Sequence, residues 1–490
     1  MKVLFATSEF APLVKTGGLG DVAGSLPPAL SGLGVDVRVL LPAYRDVLRA
    51  LGLDAGGAAP RVTVASIPAL AALPAAQLIS ARSPQGVELL LLHCPVLFDR
   101  PGNPYLGPDG RDWPDNDLRF GLLSRVAALL GGPASPIVWR PDVVHANDWQ
   151  TGLAPVHLSY GGAPRASSII TIHNLAYQGL FPAQSVARVA LPPESFGIEG
   201  VEFYGKLSFL KGGLACADAI TTVSPTYARE ICATELGFGL QGLLSARSQV
   251  LTGILNGVDT DCWNPASDPL IAQRYDAGSL AGKAANKRAL QAALDLRADP
   301  GVMLMGMVTR IVAQKGVDLV ADIAEELMQL PAQLAIQGSG EAALERRLKD
   351  LADRYPGRVA VRVAFDEALA HAIEAGADLF LMPSRFEPCG MNQMFSQRYG
   401  TLPLVCRTGG LADSVIDCTP QTLADGSADG FSFAPASGPA LLAAVRRAHA
   451  LFRDADRWRA AQKSAMARDV GWRASAQKYL ELYRRVAAEE

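Results

Sequence analysis

The chemistry of this chain is first suggested by a glycine-rich phrase that occurs near both ends. The first copy is Lys15-Thr-Gly-Gly-Leu-Gly-Asp21, and the second is Arg407-Thr-Gly-Gly-Leu-Ala-Asp413. Paired glycines let backbone N–H groups approach an anion at the start of a helix, where the dipole favours negative charge. Each copy follows a strand-like run and leads into an amphipathic stretch. The repetition predicts two nucleotide-type α/β domains that face one ligand.

Two cations follow a predicted strand in the second half of the chain. Arg310 comes directly after that strand, and Lys315 follows five residues later. A guanidinium offers two parallel donors and an ammonium offers a point charge, so the pair suits a diphosphate. The alternative is a solvated basic patch at a helix start. Cations there oppose the helix dipole, so we favour the diphosphate interpretation.

Three further polar segments also follow predicted strands. His173 lies beside Asn174 and could bond a sugar hydroxyl, act as a base or be structural. Glu387 could accept hydrogen bonds from a sugar or offset positive charge in a transition state, although its spacing slightly favours a helix cap. The Gly338-Ser-Gly340 loop could touch a ligand or form a plain tight turn.

Two acidic pairs have the spacing that holds a divalent ion in some sugar-nucleotide enzymes. They are Asp115-Asn-Asp117 and Asp259-Thr-Asp261. The first precedes a helical pattern, as a cap does, and the second follows the Asn256-Gly257 turn, where Asp commonly closes turns. We therefore expect local structural roles for both pairs. No metal and no other cofactor is predicted.

The elements that position these residues are alternating strands and helices. Several strands are apolar on both faces, which is typical of buried parallel strands covered by helices. Strands that alternate with helices indicate doubly wound sheets, in which ligands bind at the carboxyl ends of the strands. The predicted strands are 2–7, 36–41, 88–93, 142–146, 168–172, 219–223, 303–308, 333–337, 359–363, 378–382 and 402–406.

Length and composition indicate several domains in an ordinary globular protein. A chain of 490 residues is too long for one core. A net charge of −3 gives no general reason to expect binding to nucleic acid or to an anionic membrane. A turn at Asn256-Gly257 suggests domains at 1–255 and 256–470, with a last helix in 471–490 that crosses back onto the first domain. The sequence leaves the oligomeric state open.

The expected location is the cytoplasm. The seven cysteines are scattered and include no CxxC pair, so reduced thiols are expected. The N-terminus starts directly with a strand, which does not resemble a secretion signal or a transit segment. A bacterial rather than a plastid protein is therefore expected.

A set of motifs in a fixed order resembles the bacterial glycogen synthases and plant starch synthases, glycosyltransferase family 5. The resemblance rests on the first glycine phrase and on these further segments, in order: 145–149, 171–179, 223–227, 253–259, 310–316, 383–390, 399–405 and 407–411. It implies a retaining glucosyltransferase with the α/β GT-B fold, in which two Rossmann-like, doubly wound parallel-sheet domains face a deep interdomain cleft.

The resemblance also implies roles for particular residues. Arg310 and Lys315 are similar to the pair that grips the donor diphosphate and offsets the charge of the leaving group. His173 and Glu387 resemble the histidine and the carboxylate beside the transferred glucose. The implied contacts to the ADP-glucose donor are Lys15, Gly17, Gly18, Asp21, Asp148, Asn256, Gly338, Cys389, Gly390, Thr408, Gly409 and Gly410.

One position departs from a pattern that is common in retaining GT-B enzymes. Many carry a second glutamate eight residues after the first, and Phe395 occupies that position here. Glycogen synthases also lack that glutamate, so the departure does not argue against activity.

The sequence therefore predicts transfer of glucose from ADP-glucose to the nonreducing end of an α-1,4-glucan, with retention of configuration. The expected partners are the donor and a glycogen acceptor. One alternative is a UDP-glucose-dependent or sucrose synthase-like GT-B transferase. A second alternative, of a different class, is a catalytically silent glucan-binding protein that keeps the same fold.

Overall fold

The computed structural model describes residues 1–54 and 61–488. The chain divides into two compact units. The first unit consists of Met1–Asn256 together with Trp472–Glu490, and the second consists of Gly257–Gly471. These boundaries lie one residue from those suggested by the sequence.

The first unit is built on a mixed sheet. Among the described residues nine strands pair in the order β12-β11-β7-β6-β1-β2-β5-β4-β3, with β4 antiparallel to both of its neighbours and the other pairs parallel. Three short strands form a separate antiparallel sheet in the order β8-β10-β9. The strands are β1 Lys2–Ala6, β2 Asp36–Pro42, β3 Val62–Ile67, β4 Ala76–Arg82, β5 Glu88–His93, β6 Val143–Asn147, β7 Ser167–Ile172, β8 Leu180–Pro182, β9 Glu202–Phe203, β10 Lys206–Ser208, β11 Ala219–Thr222 and β12 Leu251–Gly253.

Helices alternate with these strands. They are α1 Gly18–Ser31, α2 Arg45–Ala50, α3 Pro95–Phe98, α4 Asn116–Gly131, α5 Leu153–Tyr160, α6 Ser185–Arg188, α7 Phe209–Cys216, α8 Pro225–Glu230 and α9 Gln241–Ala246. The central strands are buried on both faces, as the apolar runs in β1 and β7 require.

The last helix of the chain, Trp472–Ala488, also belongs to the first unit and contacts α1. Its buried face includes Trp472, Tyr479 and Tyr483. The Tyr483 hydroxyl lies 2.7 Å from Nδ1 of His145 on β6, while Nε2 of that histidine lies 2.6 Å from the Thr171 hydroxyl. Burial lowers the pKa of His145 to about 3, so the ring is neutral at pH 7. His145 is therefore an internal anchor for the last helix.

The second unit has a parallel sheet. Among the described residues six strands pair in the order β15-β14-β13-β16-β17-β18. They are β13 Met303–Val308, β14 Ala332–Gly338, β15 Val359–Val363, β16 Leu379–Met382, β17 Leu402–Cys406 and β18 Phe431–Phe433. The helices are α10 Ala281–Ala293, α11 Val317–Asp322, α12 Ala324–Leu327, α13 Ala342–Arg354, α14 Glu367–Gly376, α15 Asn392–Arg398, α16 Gly409–Ser414, α17 Pro420–Ala424, α18 Gly438–Phe452 and α19 Ala455–Ala467, so the final helix Trp472–Ala488 is α20.

The main sheet of each unit has a point at which the order of its parallel strands reverses. In the first unit β1 lies between β2 and β6, and in the second unit β13 lies between β14 and β16. The loops that leave two neighbouring strands at such a point diverge to opposite faces, which opens a crevice where doubly wound proteins bind ligands. The first switch point is thus formed by the loops after β1 and β6, and the second by the loops after β13 and β16.

All eleven predicted strands are confirmed, with bounds that differ by at most one residue. Among the described residues the prediction missed seven strands: β3 and β4, which lie on either side of Pro68 and Pro74, and the short strands β8, β9, β10, β12 and β18. In the described parts of the chain, no helix has the length and apolar character that crossing a membrane requires.

Candidate active site

At the first switch point a buried carboxylate holds the first glycine phrase. Glu9 follows β1 and is only 3% exposed. Its Oε2 accepts the backbone N–H of Thr16 (2.6 Å) and of Gly17 (3.2 Å), and its Oε1 accepts the Thr16 hydroxyl (2.6 Å). An anion belonging to the chain itself therefore occupies two of the backbone donors that the glycine phrase was predicted to offer to a ligand.

A tyrosine completes the shell around this carboxylate. The hydroxyl of Tyr105 donates to Glu9 Oε1 at 2.5 Å and lies 2.9 Å from the Ser8 hydroxyl. Burial, with the neighbouring Glu9 carboxylate, raises the pKa of Tyr105 well above its ordinary value. Sequence reasoning missed both Glu9 and Tyr105. The signal for Glu9 was available, because an acid three residues beyond the end of a central strand lies at the ligand-binding edge.

The charged members of the same phrase lie at the surface. Lys15 Nζ pairs with Asp21 Oδ1 at 2.6 Å, and half of the Lys15 side chain is exposed. A Cβ placed on Gly17 would meet nothing within 4 Å among the described residues. Gly17 is in extended backbone and directly precedes α1, which begins at Gly18. Neither conformation nor packing of the described residues therefore requires glycine at position 17.

Asp148 organises the loop after β7. It is 8% exposed and has a φ of 55°, a left-handed value that non-glycine residues rarely adopt. Its Oδ1 accepts the backbone N–H of His173 (2.7 Å) and of Asn174 (3.4 Å). Burial raises the pKa of Asp148 to about 7, against these two hydrogen bonds, which lower it. Backbone strain and perturbed carboxyl pKa values both cluster at functional sites, which makes Asp148 a candidate site residue.

The tautomer of His173 follows from its neighbour. Asn147 Nδ2 donates to the carbonyls of Ala6 (3.1 Å) and His145 (3.3 Å), which orients its Oδ1 toward His173 Nε2, 3.0 Å away. Nε2 must therefore carry the proton, which leaves Nδ1 as an acceptor. Burial lowers the pKa of His173 to about 3. The ring is thus a neutral acceptor suited to a hydroxyl group.

At the second switch point a cation and a carboxylate meet directly. Lys315, after β13, places Nζ 2.6 Å from Oε2 of Glu387, after β16, and the Ser384 hydroxyl donates to the same oxygen at 3.0 Å. The two charged side chains are 18% and 9% exposed. The spacing had slightly favoured a helix cap for Glu387. Instead α15 begins at Asn392, and Glu387 forms an ion pair.

Close backbone packing brings these two loops together. Gly316, directly after Lys315, has a φ of 69°, and a Cβ there would lie 2.0 Å from the Pro383 carbonyl oxygen. Only glycine fits both constraints. The Gly338 loop packs in the same manner, since a Cβ on Gly338 would lie 1.7 Å from the Thr309 carbonyl oxygen. Arg310, between these contacts, is exposed.

The second glycine phrase packs on the Glu387 loop. The backbone N–H of Gly410 donates to the carbonyls of Glu387 (3.2 Å) and Pro388 (3.1 Å). A Cβ on Gly409 would meet the Glu387 carbonyl oxygen at 1.9 Å, and a Cβ on Gly410 would meet that of Cys389 at 2.2 Å. These glycines therefore allow two loops of the second unit to touch.

The acidic pairs and Phe395, which the sequence also singled out, have local partners. Asp115 pairs with Arg100, Asp117 accepts the Ser185 hydroxyl, and Asp259 accepts the backbone N–H of Asp261. Phe395 stacks on Trp263 with ring centroids 3.9 Å apart. Within residues 1–54 and 61–488, no three His, Cys, Asp or Glu side chains are grouped as metal ligands.

The predicted site residues thus fall into two sets. The first unit carries Lys15, Gly17, Gly18, Asp21, Asp148, His173 and Asn256, the last of which is 6% exposed. The second unit carries Arg310, Lys315, Gly338, Glu387, Cys389, Gly390, Thr408, Gly409 and Gly410. Within the second unit, contacts join Lys315 to Glu387 and join Glu387 and Cys389 to the second glycine phrase. This set can hold positive charge in a fixed place, which suits a departing phosphate group.

Two family models match the chain. The model described as the starch synthase catalytic domain matches residues 2–246, and that described as glycosyl transferases group 1 matches residues 292–463. The chain is 53% identical over 485 residues to a glycogen synthase of Dechloromonas aromatica, covering 99% of this chain and 98% of the relative. It is 54% identical over 483 residues to a glycogen synthase of Aromatoleum aromaticum, covering 99% of this chain and 96% of the relative.

Solved structures are similar over the whole length. The catalytic domain of starch synthase IV from Arabidopsis thaliana, bound to ADP and acarbose, is 32% identical with a TM-score of 0.84 and covers 99% of both chains. A sucrose-phosphate synthase from Thermosynechococcus elongatus is 17% identical with a TM-score of 0.58 and covers 100% of both chains, which shows the fold alone. The fold class is therefore GT-B, as predicted.

Proposed function

This chain belongs to the glycogen and starch synthase family, and we propose that it transfers glucose from ADP-glucose to the nonreducing 4-hydroxyl of an α-1,4-glucan, with retention of configuration. Glycosyl transfer follows from the family. The ADP-linked donor, the stereochemical outcome and the roles of individual residues are the content of the proposal.

The observation that carries the proposal is the Lys315–Glu387 pair at the second switch point. A lysine held at 2.6 Å from a carboxylate keeps a fixed position, and the exposed guanidinium of Arg310 on the same loop adds a second positive charge. Transfer of glucose from a nucleotide sugar leaves a diphosphate with growing negative charge. Preorganised cations at that point stabilise the transition state by several kcal/mol in typical enzymes.

ADP is proposed as the leaving nucleotide because the related Arabidopsis enzyme was solved with ADP bound. In this proposal Arg310 and Lys315 receive the diphosphate, and no divalent ion or other cofactor takes part. The remaining donor contacts proposed are those that the family resemblance implied, from Lys15 in the first unit to Gly410 in the second.

His173 is proposed to contact the transferred sugar. Its neutral ring with Nδ1 as acceptor can receive a hydrogen bond from a glucose hydroxyl. Glu387 carries negative charge next to Lys315 and is proposed to stabilise positive charge that develops on the sugar ring. We do not assign it as a nucleophile. The proposed location is the cytoplasm, where the acceptor would be glycogen.

A donor-competition assay tests the proposal. Purified protein is given glycogen with ADP-glucose or UDP-glucose, with and without a chelator, and release of nucleoside diphosphate is measured. We expect kcat/KM for ADP-glucose to be at least tenfold above that for UDP-glucose, with no effect of chelator. Preference for UDP-glucose would overturn the donor assignment, and release of neither nucleotide would indicate a silent glucan-binding protein.

A further inference from the structure

A buried glutamine on α15 ties two loops of the second unit together. Gln393 has no exposed surface, and it lies in the first turn of the helix. Its Nε2 lies within hydrogen-bond distance of the carbonyl oxygens of Cys389 (3.2 Å) and Gly390 (3.1 Å) and of the Ser414 hydroxyl (2.9 Å). All three partners accept hydrogen bonds, so the nitrogen of the amide, and not its oxygen, must face them.

The serine extends the connection to the second glycine phrase. Ser414 is the last residue of α16 and is buried. Its hydroxyl donates to the carbonyl of Gly410 at 2.6 Å, so it accepts from Gln393 and donates to the phrase. Gln393 and Ser414, here termed the clasp, therefore join the loop of Glu387 to that of Gly409 and Gly410.

Stability alone does not account for the glutamine. Its Oε1 has no hydrogen-bond partner in the described part of the chain. Burying such an acceptor costs about 1–3 kcal/mol, a cost that an apolar side chain of similar length would avoid. The unpaired oxygen offsets part of what the three donor contacts of Nε2 contribute to stability, so the distinctive effect of this amide is on the position of the loops that it joins.

The loops that the clasp joins have little freedom to shift independently. Gly390 has a φ of 66°, and a Cβ there would lie 2.6 Å from Gln393 Oε1. On the opposite side Gly410 donates to the carbonyl of Glu387. Displacing the Gln393 amide would thus move the Glu387 loop and the second glycine phrase together.

We infer that Gln393, acting through Ser414, is a positioning residue for donor binding: it fixes the Glu387 loop and the Thr408–Gly410 loop in the arrangement that receives the nucleotide sugar. The inference rests on the proposed function, because these loops are proposed donor contacts. Its signature is a change in donor affinity that exceeds what the loss of a buried hydrogen bond would cause elsewhere on the same helix.

The chain offers a matched control in Gln397, one turn further along α15. Gln397 has no exposed surface either, and its Nε2 donates to the backbone carbonyl of Ser414 at 2.9 Å. In the described part of the chain, its side-chain hydrogen bonds go to Ser414 and to the Asp429 carboxyl rather than to the 387–390 loop. Gln393→Met and Gln397→Met therefore remove similar buried amides, but only the first removes the clasp.

The experiment measures KM for ADP-glucose, KM for glycogen, ADP affinity by calorimetry, and Tm for both variants and the wild type. For Gln393→Met we expect about a tenfold rise in KM for ADP-glucose and a similar loss of ADP affinity, with KM for glycogen unchanged. That rise is about 1.4 kcal/mol. For Gln397→Met we expect less than a twofold change in either KM, with a change in Tm comparable to that of Gln393→Met.

Ser414→Ala is a second variant that tests the same inference if Gln393→Met fails to fold. It removes one hydroxyl and should raise KM for ADP-glucose about threefold. The inference is overturned if folded Gln393→Met or Ser414→Ala keeps wild-type donor affinity, or if Gln397→Met loses as much affinity as Gln393→Met. If the wild type itself neither binds ADP nor uses ADP-glucose, the proposed function has failed instead.

Discussion

Each switch point holds a buried carboxylate, Glu9 after β1 and Glu387 after β16, but the two are surrounded differently. Glu9, in the first unit, is bound by two backbone N–H groups and two hydroxyls, and the nearby cation Lys15 pairs with Asp21 at the surface. Glu387, in the second unit, is bound by the cation Lys315 itself. The first arrangement uses neutral dipoles and the second uses a full charge.

The difference distinguishes a carboxylate that keeps a loop in place from one that holds a cation for the reaction. A carboxylate satisfied by neutral donors fixes the loop around it and leaves Lys15 half exposed. A carboxylate paired with lysine places a positive charge at a defined point, and this is what a departing diphosphate requires. We therefore expect mutations at the second switch point to affect turnover most, and those at the first to act through loop order.

The largest effect is expected for Lys315→Ala. It removes a proposed diphosphate contact and leaves the buried Glu387 without its cation, so kcat should fall about a thousandfold and the free energy of unfolding by about 3 kcal/mol. Steady-state kinetics and denaturant unfolding measure both. Arg165→Ala is the control, because it breaks a partly buried ion pair with Asp218 at the amino-terminal ends of β7 and β11 in the first unit. If Arg165→Ala lost as much kcat as Lys315→Ala, the assignment of Lys315 as a diphosphate contact would be wrong.

At the first switch point, Glu9→Gln should have the largest effect. The new amide turns a donor toward either the Thr16 and Gly17 N–H groups or the Thr16 and Tyr105 hydroxyls, so the loop loses its acceptor on one side. We expect kcat/KM to fall ten- to a hundredfold and the free energy of unfolding to fall by about 1–3 kcal/mol. Unchanged kinetics would show that the order of this loop does not matter for turnover.

Asp148→Asn tests the buried carboxyl through pH. Because the pKa of Asp148 is raised to about 7 in the folded protein, the folded state holds a proton that the unfolded state releases. This group therefore makes stability fall as pH rises from about 4 to about 7. Asparagine keeps an acceptor for the His173 N–H and does not titrate, so the variant should lose that part of the decline. Denaturant unfolding at several pH values measures it, and an unchanged pH profile would contradict the assignment.

Asp21→Asn should have the smallest effect on stability. Its pair with Lys15 is partly exposed, and such pairs contribute about 0.2–1 kcal/mol. Denaturant unfolding at low and high salt measures this. A loss above about 1 kcal/mol would mean that Asp21 supports the first switch point as Glu9 does.

The sequence predicted the sheets well because buried parallel strands have continuous apolar runs, as in β7 and β13. It also placed Arg310, Lys315, Glu387 and His173 at strand ends. It could not show that Lys315 meets Glu387, because that contact joins residues 72 positions apart in a three-dimensional arrangement. It also missed that Glu9 occupies the amides of the first glycine phrase, because the motif shows the backbone donors but not which acceptor the fold brings to them.

The central claim is that the second switch point carries the charge that releases ADP, and Arg310→Ala tests it most directly. Arg310 is exposed, so its removal should leave Tm within about 2 °C of the wild type. At saturating ADP-glucose and glycogen we expect kcat to fall at least a hundredfold, in the range typical for loss of one preorganised donor. A folded variant with near wild-type kcat would contradict the account.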